Sequence, residues 1–495
     1  MRLILAAILV GIGAPVVAAP VLDTPLKDEW WQAGEAAIDS RIEAVNRPKR
    51  AKNVILMIGD GMGIATITAG RIYDAQYPTD GSPRRTGEEN SLSFEKLPHV
   101  ALVKTYNTNA QVADSAGTAS AMNTGVKTRI GYINFGQNQT AADCATPDKL
   151  PRTIAEIAKR QGMAVGIVTT TRITHATPAA VYGHEPNRNW EGSDKAYSSE
   201  AHKDSCPDLA SQLVDFKPGG GLDLALGGGA GRFLPISAGG LRDDGVNLVT
   251  KWQGRFTGGR YVSDAAGFRA LKPGAPGPVL GLFAMDHLTF EADRDTAKEP
   301  SLTEMAQFAV AKMKASSPEG YYLMIEGGRI DHAHHASNPS RALSETQQFS
   351  RAVAAVLATV DLNETLVLVT ADHSHTLTMA GYPERGNDIL GYIKNAAAGE
   401  SRGNVSPEGY ALDDRGQPMT TLSYANGAFV TPGLSRRLAP NDKNYLSDKT
   451  YGTDGESHGG EDVALFADGP RSELVSGVIE QNVIFHIIAA ALGWR

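Results

Sequence analysis

Leu323-Met324-Ile325-Glu326-Gly327-Gly328-Arg329-Ile330-Asp331-His332-Ala333-His334-His335 decides how the rest of the chain is read. It opens as a short apolar run, the kind that fills a buried strand. Two glycines break the run, and one carboxylate and three histidines follow within five positions. Asp331 and His335 are four apart, so one turn of helix puts both on one face. A carboxylate with an imidazole four residues on is half of a zinc site. Glu326, at the strand's end, is a separate carboxylate suited to a harder cation. A lone histidine there would be read as a satisfied core residue or a solvated turn; a cluster after a buried strand outweighs that reading.

Composition sets the outer limits. The chain has 495 residues, 42% hydrophobic and 21% charged, as in a globular protein with a sizeable core. Its formal net charge of −8 argues against non-specific binding to nucleic acid or anionic membranes. Residues 1–18 read as a signal peptide: Arg2 is the positive start, Leu3 to Val17 are apolar or small, and Val16-Val17-Ala18 has the pattern of a cleavage site. No later run is long enough to span a bilayer. The ending Ala489-Ala490-Ala491-Leu492-Gly493-Trp494-Arg495 lacks the tail of a lipid-anchor signal. The expectation is an exported protein, periplasmic or secreted, without a membrane anchor. Cys144 and Cys206 are the only cysteines. In an exported chain they most simply form one disulfide, the alternative being two free thiols.

Residues 19–50 form an N-terminal arm with a helix over 28–46. Trp31, Ile38, Ile42 and Val45 share its face, which packs on its own domain or on a partner subunit. Residues 53–58 are a buried strand ending in Gly59-Asp60-Gly61-Met62-Gly63. This superficially matches a dinucleotide-binding turn, but Ile64 stands where the third glycine belongs and Asp60 would repel a pyrophosphate. Asp60 suits a metal. A strand over 100–104 leads to Asp114-Ser115-Ala116-Gly117-Thr118-Ala119. There Ser115 opens a helix with free amides beside it, a place for a phosphate-carrying nucleophile or simply for a cap. A helix over 152–161, strands over 164–169 and 222–226, helices over 300–315 and 341–360, and a strand over 365–369 follow. That last strand ends in Asp372-His373-Ser374-His375. A strand over 463–466 and a helix over 478–492 close the chain. Alternation of strand and helix predicts an α/β fold, doubly wound on a mostly parallel central sheet flanked by helices. The core spans 51–381 and 456–495, interrupted by a crown-like insertion over 382–455.

Asp60, Glu326, Asp331, His335, Asp372 and His373 all fall at or just beyond the carboxyl end of a strand, where open parallel sheets bind ligands. His458 stands just before a strand, in a loop that can reach over. The imidazoles suit zinc, and the carboxylates with Thr177 suit magnesium. Two zinc ions about 4 Å apart stabilise attacking and leaving oxygens in line. Arg188 offers a fork that matches two phosphoryl oxygens.

With these residues assembled, the chain resembles the alkaline phosphatases, and most closely the animal type. The resemblance is carried by Gly59-Asp60-Gly61-Met62-Gly63, Thr105-Tyr106-Asn107-Thr108-Asn109-Ala110-Gln111, Asp114-Ser115-Ala116-Gly117-Thr118-Ala119, His175-Ala176-Thr177-Pro178, Asn187-Arg188-Asn189-Trp190, Glu326-Gly327-Gly328-Arg329-Ile330-Asp331-His332, Thr370-Ala371-Asp372-His373-Ser374-His375 and His458-Gly459-Gly460-Glu461-Asp462. It implies Ser115 as the phosphorylated nucleophile and Arg188 as the phosphoryl grip. Asp331, His335 and His458 would hold one zinc, and Asp60, Asp372 and His373 a second, which Ser115 also contacts. Asp60, Thr177 and Glu326 would hold magnesium, with Thr177 where animal enzymes often have Ser. His175 and His332 match the residues that flank the animal-type site, and Cys144 and Cys206 fall where those enzymes place a disulfide. The resemblance also implies a homodimer, in which the helix over 28–46 is expected to lie on the partner, and a calcium site. For calcium the pattern fails: Ala284 in Gly281-Leu282-Phe283-Ala284 stands where the family has Glu, and the loop after Gly229 is short. Glu299 remains as a ligand, and a full calcium site is not expected.

The expected activity is hydrolysis of a broad range of phosphate monoesters through a phosphoserine. The rival readings are a phosphodiesterase, sulfatase or mutase on a related metal-bearing sheet, and a non-catalytic zinc- or phosphate-binding protein. Asp114-Ser115-Ala116 with Arg188 favours the monoesterase.

Overall fold

Residues 28–44, 50–198, 206–394, 405–428 and 438–495 are described by a computed structural model. The signal reading of 1–18 and Val45 of the first helix lie outside them. β1 (Asn53–Gly59) is buried along its Val-Ile-Leu-Met-Ile run, as a central strand covered on both faces must be. In chain order there follow β2 (His99–Lys104), β3 (Ala164–Arg172), β4 (Leu224–Gly228), β5 (Arg260–Val262), β6 (Val279–Leu282), β7 (Tyr321–Gly327) and β8 (Thr365–Thr370). Next come β9 (Ser374–His375), β10 (Leu377–Met379), β11 (Leu422–Ala428), β12 (Lys449–Thr453), β13 (His458–Gly459), β14 (Val463–Asp468) and β15 (Val478–Glu480).

Ten of these make one sheet, in the order β15-β2-β14-β8-β1-β7-β3-β4-β6-β5. From β8 to β5 every pairing is parallel. β14 runs antiparallel between β8 and β2, and β15 lies parallel on β2. The architecture is the α/β one expected, a large, mostly parallel sheet flanked by helices. Pro339–Leu357 turns Phe349, Val353 and Val356 wholly into the core. Helix Glu29–Ala44 docks on its own chain: Trp31 and Ile38 are fully buried, and the Trp31 ring lies 5.2 Å from that of Phe485 on helix Val483–Leu492.

Local differences from the sequence reading have physical causes. Residues 478–492 are not one helix. Val478 and Ile479 are β-branched and meet the open edge of β2, so they pair as β15, and the helix starts only at Val483. β5 and β6 have three and four residues and no periodicity long enough to read. A second sheet, β10-β11-β12, occupies the region read as an insertion; its first strand begins at Leu377, ahead of residue 382. Cys144 and Cys206 form a disulfide with Cα atoms 5.3 Å apart.

Candidate active site

Strand register brings the first acidic groups together. Ile58 of β1 lies opposite Glu326 of β7 on one side and Thr370 of β8 on the other. Asp60 and Asp372, each two residues further on, therefore leave the sheet at the same level, beside Glu326. Gly61 has φ +69°, a conformation other residues resist, and this turn aims its amide at Asp372 Oδ1, 3.0 Å away. On the other flank Thr169 of β3 is opposite Glu326. Its hydroxyl and that of Thr171 both donate to Glu326 Oε2, the latter at 3.1 Å.

Three donor sets result, each with its ligand atoms within 4.8 Å of one another: Asp331, His335, His375 and His458; Asp60, Asp372 and His373; Asp60, His175 and Glu326. In the first, His335 Nδ1 and His458 Nδ1 donate to the carbonyls of Glu456 and Ala113, at 2.6 and 2.7 Å. Their Nε2 lone pairs then face each other at 3.1 Å, and each lies 3.3 Å from Asp331 Oδ1. In the second, His373 Nδ1 donates to the Ser374 carbonyl at 3.2 Å. Its Nε2 is left 3.4 Å from both Asp60 Oδ1 and Asp372 Oδ2. Thr177, on helix Ala176–Tyr182, is fully buried near Glu326, and its hydroxyl has no hydrogen-bond partner.

These sets fit cations. Both oxygens of Asp60, Oδ2 of Asp372, Oε1 of Glu326 and Oγ1 of Thr177 are buried without a hydrogen-bond partner. Burial, then the neighbouring charges of Asp372, Asp331 and Glu326, pushes the Asp60 carboxyl well above the usual range, and burial lifts Glu326 to about 7. Unpaired carboxylates beside imidazole lone pairs are strongly unfavourable unless positive charge joins them. The histidine-rich first set suits zinc, as does the second through His373, and the third with the Thr177 hydroxyl, where buried oxygens predominate, suits magnesium.

Ser115 begins helix Ser115–Thr124, and Asp114 caps it by accepting from Gly117 N at 3.1 Å. Its hydroxyl lies 3.1 Å from His373 Nε2. The helix packs so closely that a Cβ on Gly117 would stand 1.6 Å from Asn107 Nδ2, and Asn107 Oδ1 in turn accepts from Asp114 N. Arg188 is steadied by Asp114 Oδ2 (3.1 Å) and His175 Nε2 (3.2 Å). The sequence-derived site residues thus converge. His332 stands beside them, its Nδ1 accepting from Arg329 at 3.0 Å, with burial holding its pKa down to about 4.

Sequence reasoning missed several neighbours. His375 places Nε2 2.7 Å from Asp331 Oδ1 and Nδ1 2.6 Å from Glu456 Oε2. Burial opposes its charge, but these two bonds carry its pKa up to about 10, and the bond to Asp331 Oδ1 steadies that carboxylate. Its position two after His373 was the available signal. His287, from the loop after β6, lies 4.2 Å ring to ring from His332 and is held by Arg172; nothing in the sequence marked it. His175 sits within ligand distance of Asp60 and Glu326, closer to that set than a flanking role implies. Glu299, read as a surviving calcium ligand, accepts from Thr289 N and Oγ1, both at 2.9 Å.

Hydroxyl, arginine fork and cation sites arranged in this way belong to metal-assisted ester hydrolases. The family model for alkaline phosphatase matches residues 51–494. The chain is 39% identical to the tissue-nonspecific alkaline phosphatase of Gallus gallus, over 98% of this chain and 93% of that one. It is 38% identical to the alkaline phosphatase of Gadus morhua, over 91% and 93%. Two solved structures share the fold at 23% identity: the alkaline phosphatase of Thermus thermophilus (TM-score 0.64, covering 90% of this chain and 92% of that one) and that of the Antarctic bacterium TAB5 (0.60, 90% and 100%). The chain belongs to the alkaline phosphatase family and is a phosphomonoesterase.

Proposed function

We propose that the chain is an exported, metal-dependent phosphomonoesterase of broad alcohol specificity that works through a phosphoserine at Ser115. Asp331, His335 and His458 would hold one zinc, Asp60, Asp372 and His373 a second, and Asp60, Thr177 and Glu326 magnesium. When bound, these ions supply positive charge to the phosphoryl, leaving and serine oxygens. A variant of the TAB5 enzyme is described with Mg bound in its M3 site, which supports magnesium here. Asp114 fixes the helix start and so the Ser115 hydroxyl. Arg188 presents its fork to two phosphoryl oxygens. Ser115 Oγ bonds to phosphorus as the bond to the alcohol oxygen breaks, and the alcohol leaves with a proton. Water then displaces the serine, releasing inorganic phosphate and restoring the hydroxyl. His175 and His332 flank the phosphoryl group. These contacts all address the phosphoryl end, which is why the alcohol is loosely specified.

The observation that carries this reading is Ser115 Oγ, 3.1 Å from His373 Nε2, among buried carboxylates with no partners. The test is turnover of a chromogenic monoester and of a matched diester, before and after chelation. Monoester turnover should dominate, vanish on chelation and return with zinc and magnesium. Turnover indifferent to chelation, or preference for the diester, would overturn it.

Export is supported by the signal-like residues 1–18 and by the Cys144–Cys206 disulfide. Among the described residues no helix is long and apolar enough to cross a membrane. We further infer one core, 51–381 and 456–495, interrupted by 382–455, and a homodimer. Val100 and Leu102 of β2 and Val478 of β15 form an exposed apolar row on neighbouring strands, the kind of surface that a second copy covers.

A further inference from the structure

We propose that β11 is a clasp for the Asp331, His335 and His458 set, with Tyr424 and Asn426 as its positioning residues; this rests on the metal reading above. The set draws on two segments far apart in the chain. Asp331 and His335 share a turn of helix Arg329–His335, whereas His458 lies on β13. One direct backbone tie joins them, from Glu456 N to the His335 carbonyl at 3.1 Å. β11 belongs to the small sheet, outside the core strands that carry the other ligands.

Alternation along a strand puts Tyr424 and Asn426 on the same face, and both are buried, at 1% and 5% exposure. Each takes one segment. Tyr424 Oη lies 2.8 Å from His334 Nδ1, and Thr66 Oγ1 lies 3.0 Å from His334 Nε2. His334 is fully buried and engaged at both edges of its ring, which fixes the rotation of the helix turn bearing Asp331 and His335. Asn426 Oδ1 accepts from Ser457 N, and its Nδ2 donates to Ser457 Oγ, both at 2.8 Å. Ser457 immediately precedes His458. One strand face therefore grips both halves of a ligand set, in addition to the contacts of His335 and His375 with Glu456, and groups that orient ligands govern how firmly a metal is kept.

The test is chelator-driven zinc release from the metal-loaded protein, followed with a zinc-sensitive dye. Wild type is compared with Tyr424→Phe, which removes a single oxygen, with Asn426→Ala, and with Ser423→Ala on the opposite face. In the first two, one of the two zinc ions should leave roughly tenfold faster or more, while the other leaves at the wild-type rate and Ser423→Ala matches wild type. Unchanged release in both variants overturns the inference. So does equal acceleration of both ions, which is general loosening of the fold. A wild type that retains no zinc overturns the metal reading itself.

Discussion

Asp60 is fully buried, and neither of its carboxylate oxygens has a hydrogen-bond partner; Asp372 Oδ2 and Glu326 Oε1 share that condition. Leaving such groups uncompensated costs several kcal/mol each, so their grouping fits a cation bound among them. Asp60, Glu326, Asp331 and Asp372 were legible in the sequence because a carboxylate at or just past the end of a buried strand has little structural reason to be there. His287 and Glu456 were not, because their importance lies in what they touch across the chain, and His375 carried only its position two after His373 as a signal. His332 illustrates a group whose charge matters. Burial holds its pKa down to about 4, so the folded protein favours the neutral ring at and above neutral pH. His332→Lys adds a fixed cation near the phosphoryl group. Inorganic phosphate should then inhibit at several-fold lower concentration and steady-state turnover should slow, as product release becomes limiting. Weaker phosphate inhibition together with slower turnover would show that release is not what this histidine tunes.

At the scale of elements, long apolar strands and amphipathic helices could be read from periodicity, whereas β5, β6 and β15 were too short to show it. β15 in particular depends on the open edge of β2, which no local pattern reveals. Helix Val483–Leu492 carries a further consequence. His486 is fully buried, neither ring nitrogen is hydrogen-bonded, and the Trp31 ring lies 5.0 Å away. Burial, then the charge of Arg495, lowers its pKa to about 3. The folded pKa lies below the unfolded value of about 6.5, so the fold favours the neutral ring. That stability is complete above about pH 6.5 and falls towards pH 3, by about 1.4 kcal/mol per pH unit for one proton. His486→Leu should therefore flatten the acid side of a Tm-against-pH curve relative to wild type. Parallel curves for the two proteins would mean that this histidine does not contribute to acid sensitivity.

Across the whole molecule, the sequence showed that the sheet was mostly parallel but not which strands were neighbours. The antiparallel insertion of β14 between β8 and β2 depends on contacts spanning most of the chain. The exposed row of Val100, Leu102 and Val478 is a property of that assembled sheet. If it is a subunit interface, wild type should sediment as a dimer at micromolar concentration and Leu102→Asp as a monomer; a monomeric wild type would rule the interface out. The central claim, that the converged donor sets serve a covalent exchange at one serine, has a direct measurement. The metal-loaded protein is mixed with a phosphate monoester, quenched in acid, and its peptides are mapped by mass spectrometry. One phosphoryl group is expected on Ser115, absent after chelation and absent in Ser115→Ala, a variant that keeps its metals yet loses at least about a thousandfold in turnover. Phosphate on another residue, or full turnover by Ser115→Ala, would contradict it.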